Sequence, residues 1–283
     1  MTMDFKDSPR GSAPSPVTSV VLRRCRPDGA SEDHDTLATE EPLEIRLGYQ
    51  FLGKPAERSV AVTMRTPGDD LHLAMGFLFS EGLIERADQI IEVEAPATNI
   101  LRLRVGPDVD VDMASLQRNF YTTSSCGVCG KASLEALKVD EAPLVVDNFQ
   151  VPAAIIASLT DTLRQSQSLF DVTGGIHAAG LFERDGQLVT LAEDVGRHNA
   201  MDKLVGSQLS QQALPLSEAI VVWSGRASFE LVQKALRAGA SIVVAVGAPS
   251  SLAVDVAHHF GITLVGFARD RRFNIYSHPA RIH

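Results

Sequence analysis

The sequence predicts an α/β protein, with a smaller N-terminal α+β domain followed by a larger three-layer α/β domain whose sheet is mostly parallel. Three observations carry that expectation. The first half holds short alternating apolar–polar runs, LEIRLGYQFL (43–52) and SVAVTMR (59–65), the period of half-buried strands. The second half holds unbroken apolar runs, AIVVWS (219–224), SIVVAVG (241–247) and ITLVGFA (262–268), which suit strands covered on both faces. Helix-length stretches separate those runs, the alternation that builds parallel crossovers. With 283 residues the chain suffices for one large domain or two, at roughly 100–200 residues each. The expected boundaries are a disordered tail at 1–18, the α+β domain at 19–115 and the α/β domain at 116–283.

In order, the tail carries Pro9, Gly11, Pro14 and Pro16 among serines. SVVLRRCR (19–26) has strand character, with Cys25 expected as a small packed residue. ASEDHDTLATEE (30–41) reads as an acidic loop. After the two alternating strands, Leu71, Met75, Leu78 and Phe79 recur at three and four residues, so a helix starts near Asp70. IIEVE (90–94) and NILRLRV (99–105) are two more strands. The segment 118–139 puts Cys126 on a loop and Cys129 near the start of a short helix beginning at about Lys131. A further helix spans about 152–167. HAAGLFER and QLVTLAED form a hairpin across Asp185-Gly186. Helices are expected over 195–209, 225–240 and 248–261.

Composition excludes several functions. The 26 basic and 35 acidic residues leave a net charge of −9, the wrong sign for general nucleic-acid binding. A hydrophobic share of 45% and a charged share of 22% belong to a folded globular chain. No run approaches the ~18 apolar residues of a membrane span. The N-terminus has no apolar core behind a basic start, so a cytoplasmic location is expected.

The chemistry gathers in two places. Ligands of open α/β sheets bind beyond the carboxyl ends of the strands. Those ends carry Gly196-Arg197-His198, Ser224-Gly225-Arg226, Gly247-Ala248-Pro249-Ser250 and Phe267-Ala268-Arg269-Asp270-Arg271-Arg272. Small residues at helix starts leave N–H groups for an anion, and arginines add bidentate phosphate contacts. Together they point to a large phosphorylated ligand such as a nucleotide. The sequence holds neither G-x-G-x-x-G nor a Walker A lysine. His177 and His198 lie in these segments, Asp194 is expected to cap the following helix, and Trp223 is expected in the core.

The second place is Cys126-Gly127-Val128-Cys129. A helix start and Lys131 would favour a thiolate, and the glycines allow close approach to another molecule. That suits a cysteine that accepts and passes on sulfane sulfur as a persulfide. A redox disulfide pair and a zinc site bridged across a dimer remain open alternatives at this point. The zinc-deaminase signature fits poorly, because Ser125 precedes Cys126 and both candidate histidines follow the cysteines.

Five motifs in order resemble the FdhD family of formate dehydrogenase accessory sulfurtransferases: Ser125–Lys131, Thr173–Ala179, Glu193–Lys203, Ser224–Arg226 and Phe267–Tyr276. The resemblance covers nearly the whole chain from about residue 19. It implies a cytidine-deaminase-like larger domain without the deaminase zinc set, and a homodimer. It implies that Cys126 takes sulfur as a persulfide from an IscS-like cysteine desulfurase, with Cys129 supporting or relaying. The sulfur would pass to the molybdenum cofactor, bis-molybdopterin guanine dinucleotide, before that cofactor serves the formate dehydrogenase catalytic subunit. The cofactor would be a bound client and not a permanent group, with GDP-like nucleotides as mimics. Phe267 through Arg272 would bind it. His177, Gly196, Arg197, His198, Ser224, Gly225 and Arg226 complete the candidate set, and no metal ligands are expected. A cofactor chaperone without group transfer is the alternative.

Overall fold

A computed structural model describes residues 14–111 and 149–283. The expected helix near Lys131, together with Cys126 and Cys129, lies outside the described residues, as does most of the expected tail.

The described chain begins with a two-stranded ribbon. β1 (Val17–Arg26) pairs antiparallel with β2 (Gly29–Ala38), from Val17 opposite Ala38 to Arg26 opposite Gly29. The expected acidic loop is therefore a strand. Glu32, Asp33 and Asp35 disguise it, because this strand is held by its ladder to β1 and buries no side chain fully. Arg24 reaches Asp33 at 2.6 Å, and that pair holds the Asp33 carboxyl below its ordinary pKa. Cys25 is exposed, not packed, because the ribbon has no covered face at that end.

A four-stranded sheet follows, in the order β4-β3-β6-β5. β3 (Glu41–Phe51) pairs antiparallel with β4 (Lys54–Arg65) and parallel with β6 (Ile100–Val105). β5 (Ile90–Ala97) pairs antiparallel with β6. One face carries Leu43, Ile45, Leu47 and Leu103, all fully buried beneath α1 (Asp70–Ser80). The other carries ion pairs such as Arg102 with Glu57 and Glu94, each 2.7 Å. This is the alternation that the sequence shows, with apolar residues inward and charged ones outward.

The six-stranded sheet has the order β12-β11-β10-β9-β7-β8. Its strands are β7 (His177–Phe182), β8 (Leu188–Asp194), β9 (Ile220–Trp223), β10 (Ile242–Ala245), β11 (Thr263–Arg269) and β12 (Arg272–Ile275). Only β9–β10 and β10–β11 are parallel pairs. β7–β8, β7–β9 and β11–β12 are antiparallel. The sheet is therefore mixed, which corrects the expected mostly parallel one. The local Val/Ile runs dictate burial on both faces, whereas direction depends on which strand each one meets.

Helices cover both faces, as a three-layer arrangement requires. On one side α2 (Ala153–Ser166) packs Ile156, Leu159 and Leu163 against Ile220, Val222, Ile242 and Val244. α3 (Ser168–Thr173) follows α2 directly. On the other side lie α4 (Arg197–Ser210), α5 (Phe229–Arg237) and α6 (Ser251–Phe260). α5 starts at Phe229, four residues later than residue 225, because the Ser228 side chain caps it by accepting from Leu231 N. Ser250 caps α6 in the same way.

The two sheets share one core, which runs from Leu43 and Leu78 through Met201 and Leu204 to Trp223 and Leu264. α1 crosses α4 where Gly76 faces Gly206. A Cβ on Gly206 would stand 1.9 Å from the His72 carbonyl oxygen, and one on Gly76 1.8 Å from that of Asp202. Only glycine permits that backbone approach.

Candidate functional site

The parallel strands β9, β10 and β11 end at one edge of the sheet. β7 runs against β9 with Ala179 opposite Trp223, so its first residue, His177, stands at that same edge. Asp194, the last residue of β8, lies opposite His177. The topology therefore brings together His177, Gly196-Arg197-His198, Ser224-Gly225-Arg226 and the segment from Phe267. Short hydrogen bonds join these loops. The Ser224 hydroxyl accepts from Ala178 N at 2.8 Å, Gly247 N donates to the Gly225 carbonyl at 2.9 Å, and Phe267 N donates to the Gly247 carbonyl at 3.0 Å. A Cβ on Gly247 would lie 3.1 Å from the Arg226 Cα, so the loops touch backbone to backbone.

His177, Arg197 and His198 form the partly buried end of this edge. Burial, reinforced by the Arg197 cation, lowers the His198 pKa to about 4. The same two causes lower that of His177. His198 Nε2 lies 3.3 Å from both Ser228 Oγ and Glu230 Oε2. The Glu230 carboxylate does not reverse the shift, because it is 51% exposed and screened by water. Both rings are therefore neutral at pH 7, and each offers one donor and one acceptor.

The other end is the β11–β12 hairpin. Asp270 and Arg271 both have positive φ, 53° and 56°, so they form a two-residue turn of the primed kind. Phe267 also has positive φ, 53°, at the bulge between Gly266 and Arg269. Arg269, opposite Arg272, shares a face with Asn274. Ala268 points the other way and is buried in the core that α2 covers, with Phe273 and Ile275 packed partly buried against it. A pocket of about 240 Å³ opens at the hairpin, lined by Phe267, Arg269, Arg272, Phe273 and Asn274. Sequence reasoning named three of these as binding residues and did not assign Phe273 or Asn274. Strand alternation through the turn would have put Asn274 beside Arg272.

Asp194 is not a helix cap. It is fully buried and ion-paired to Lys203 at 2.8 Å, while Gly196 is the cap of α4. Asp194 also accepts from Thr66 N, Gly196 N and Asn199 Nδ2, and Lys203 donates to the Thr66 carbonyl at 2.9 Å. Asn199 further donates to the Met64 carbonyl at 2.7 Å. The segment 194–203 is thus latched to the end of β4, which holds Arg197 and His198 at the edge. Glu193 accepts from Leu169 N and Phe170 N and so caps α3. Trp223 is buried as expected, with its indole N–H 3.4 Å from Met201 Sδ.

Among the described residues, no three His, Cys, Asp or Glu side chains converge as metal ligands. Among the same residues no helix is long and apolar enough to cross a membrane.

Comparison with known proteins adds the family context. A family model described as FdhD/NarQ matches residues 38–283. A protein of Streptomyces avermitilis named sulfur carrier protein FdhD is 50% identical over 274 residues, covering 92% of this chain and 93% of its own. A protein of the same name from Sulfurisphaera tokodaii is 40% identical over 266 residues, covering 94% and 99%. A crystal structure from Desulfotalea psychrophila, provisionally named a formate dehydrogenase accessory protein, superposes with a TM-score of 0.72 at 29% identity. It covers 94% of this chain and 99% of its own.

Proposed function

This chain belongs to the FdhD/NarQ family, and from that premise we propose that it is a sulfur carrier serving formate dehydrogenase. Cys126 bears the sulfur. Its thiolate attacks the outer sulfur of a desulfurase cysteine persulfide. A new S–S bond forms to Cys126, the donor's S–S bond breaks, and the desulfurase thiolate leaves. Cys129 supports or relays. The acceptor is the molybdenum cofactor, bis-molybdopterin guanine dinucleotide, held as a substrate and handed on to the formate dehydrogenase catalytic subunit. We take the larger domain as cytidine-deaminase-like, and the carrier as a cytoplasmic homodimer.

One observation supports this reading most. Three separate segments at one sheet edge carry Arg197, Arg226 and the group Arg269, Arg271 and Arg272, and a fourth adds His177. The cofactor's two guanine dinucleotide arms carry four phosphates, and arginine forks suit such groups. The neutral His177 and His198 add donors without adding charge.

The test is intact mass after incubation with a cysteine desulfurase and cysteine. Wild type should gain the mass of one sulfur atom, removable by reductant. Cys126→Ala should gain none and still bind GDP. A gain lost only in Cys129→Ala would exchange the two roles. No gain in any form, with GDP still bound, would leave a cofactor chaperone without group transfer.

A further inference from the structure

We propose that the tip of the β3–β4 hairpin is the docking point for the protein that donates sulfur, and that it fits an apolar groove rimmed by carboxylates. This rests on reading the chain as a sulfur carrier, which needs such a donor.

The hairpin overshoots the sheet that supports it. β3 pairs with β6 only as far as Gly48 opposite Arg104, whereas its ladder with β4 continues to Phe51 opposite Lys54. Leu43, Ile45, Leu47 and Tyr49 are buried on one face of β3, and Phe51 continues that face beyond the core. Phe51 is 53% exposed and Leu52 88%, so two adjacent large apolar side chains stand in water. Leu52 and Gly53 make the turn with φ of 50° and 72°, the primed kind that favours Asn-Gly. A leucine there is both strained and exposed. Nothing among the described residues offsets either cost, and a displayed apolar knob of this sort marks a contact with another molecule.

The charges beside the tip state the partner's chemistry. Lys54 lies opposite Phe51 and Arg58 opposite Leu47, so both share the face of Phe51. Among the described residues neither cation makes an ion pair, whereas Arg46, Glu57 and Arg102 on the other face pair with one another. Two such cations next to an apolar knob, in a chain of net charge −9, complement a groove with carboxylates at its rim. Position then selects the donor. β4 has 12 residues and runs from this tip to the latch at Met64 and Thr66, so roughly 35 Å of strand separates the tip from Arg197 and His198. A protein seated on the tip leaves the cofactor edge open, which suits a sulfur donor and not the subunit that takes the cofactor. β6 runs parallel to β3, so Val105, from which the chain leads on towards Cys126, ends at the tip end of the sheet.

The experiment compares wild type, Leu52→Asn and Lys54→Glu in three measurements: affinity for a purified cysteine desulfurase, persulfide loading by desulfurase and cysteine, and loading by inorganic polysulfide. Polysulfide needs no docking: the cysteine thiolate bonds to one sulfur, the adjacent S–S bond breaks, and the shortened chain leaves with the electron pair. Leu52→Asn supplies the residue that the turn prefers, so its Tm should not fall. Its affinity for the desulfurase should nonetheless drop about tenfold or more, and loading at subsaturating concentration should slow in proportion. Lys54→Glu should weaken binding too, most at low salt. Loading by polysulfide should be unchanged in both. Variants that bind and load like wild type, or a wild type loaded by polysulfide alone, overturn the docking assignment and leave the carrier standing. A Leu52→Asn variant altered only in oligomeric state also overturns it and gives the tip to a second copy of the chain. A wild type that takes sulfur from neither source overturns the carrier reading itself.

Discussion

Lys203→Met should cost about 3 kcal/mol of folding stability. Lys203 and Asp194 are both buried and lie 2.8 Å apart. Removing one partner of such a pair costs roughly 3–5 kcal/mol, because a charge is left buried and unmatched. The lower end applies here, since Asp194 keeps Thr66 N, Gly196 N and Asn199 Nδ2 as donors. The Thr66 carbonyl also loses its 2.9 Å donor, a loss of about 1 kcal/mol that is contained in that figure. Methionine keeps the apolar stem, so no cavity is opened. In the double variant Asp194→Asn/Lys203→Met, the buried charge that Lys203→Met leaves unmatched is itself removed. The two changes should therefore couple favourably, by about 1–3 kcal/mol. Urea unfolding, followed by far-UV circular dichroism and by the fluorescence of the single tryptophan, Trp223, measures both quantities. A loss under about 1 kcal/mol for Lys203→Met, or an additive double variant, would refute the buried latch.

Two further predictions follow from the same packing. Gly206→Ala places a methyl 1.9 Å from the His72 carbonyl oxygen and must push α1 off α4. It should cost more than about 4 kcal/mol in thermal unfolding, whereas Gly175→Ala, whose nearest neighbour is 3.8 Å away, should change little. A Gly206→Ala Tm near wild type would disprove the close crossing. His198 titrates near 4 when folded and near 6.5 when unfolded. Between those values the unfolded chain binds more protons, so stability falls as pH drops through that window and is fully present above it. The contribution is up to about 3 kcal/mol, reduced by the water reaching a ring that is 28% exposed. His198→Gln should flatten the acid limb of a plot of urea midpoint against pH, and an unchanged limb would place the effect elsewhere.

Where signals were local, the sequence sufficed. Val/Ile runs with glycine and serine after them marked β9, β10 and β11 and the loops at their ends, because burial on both faces demands apolar residues at every position. The resemblance motifs were likewise contiguous stretches. β2 escaped notice because its acidic residues owe their extended form to β1, not to burial. Asp194 read as a cap because its true partners, Thr66 and Lys203, include one 128 residues away in sequence.

The amino-acid order alone thus determined the layered α/β class, the buried strands, the glycine-rich turns and the family motifs, since each depends on neighbours within a few residues. The tertiary structure decided strand direction, the meeting of His177 with the Arg197, Ser224 and Phe267 loops, the α1–α4 glycine contact and the place of Asn274 in the pocket. Those depend on pairings between distant segments, which no local pattern of hydrophobicity or charge encodes.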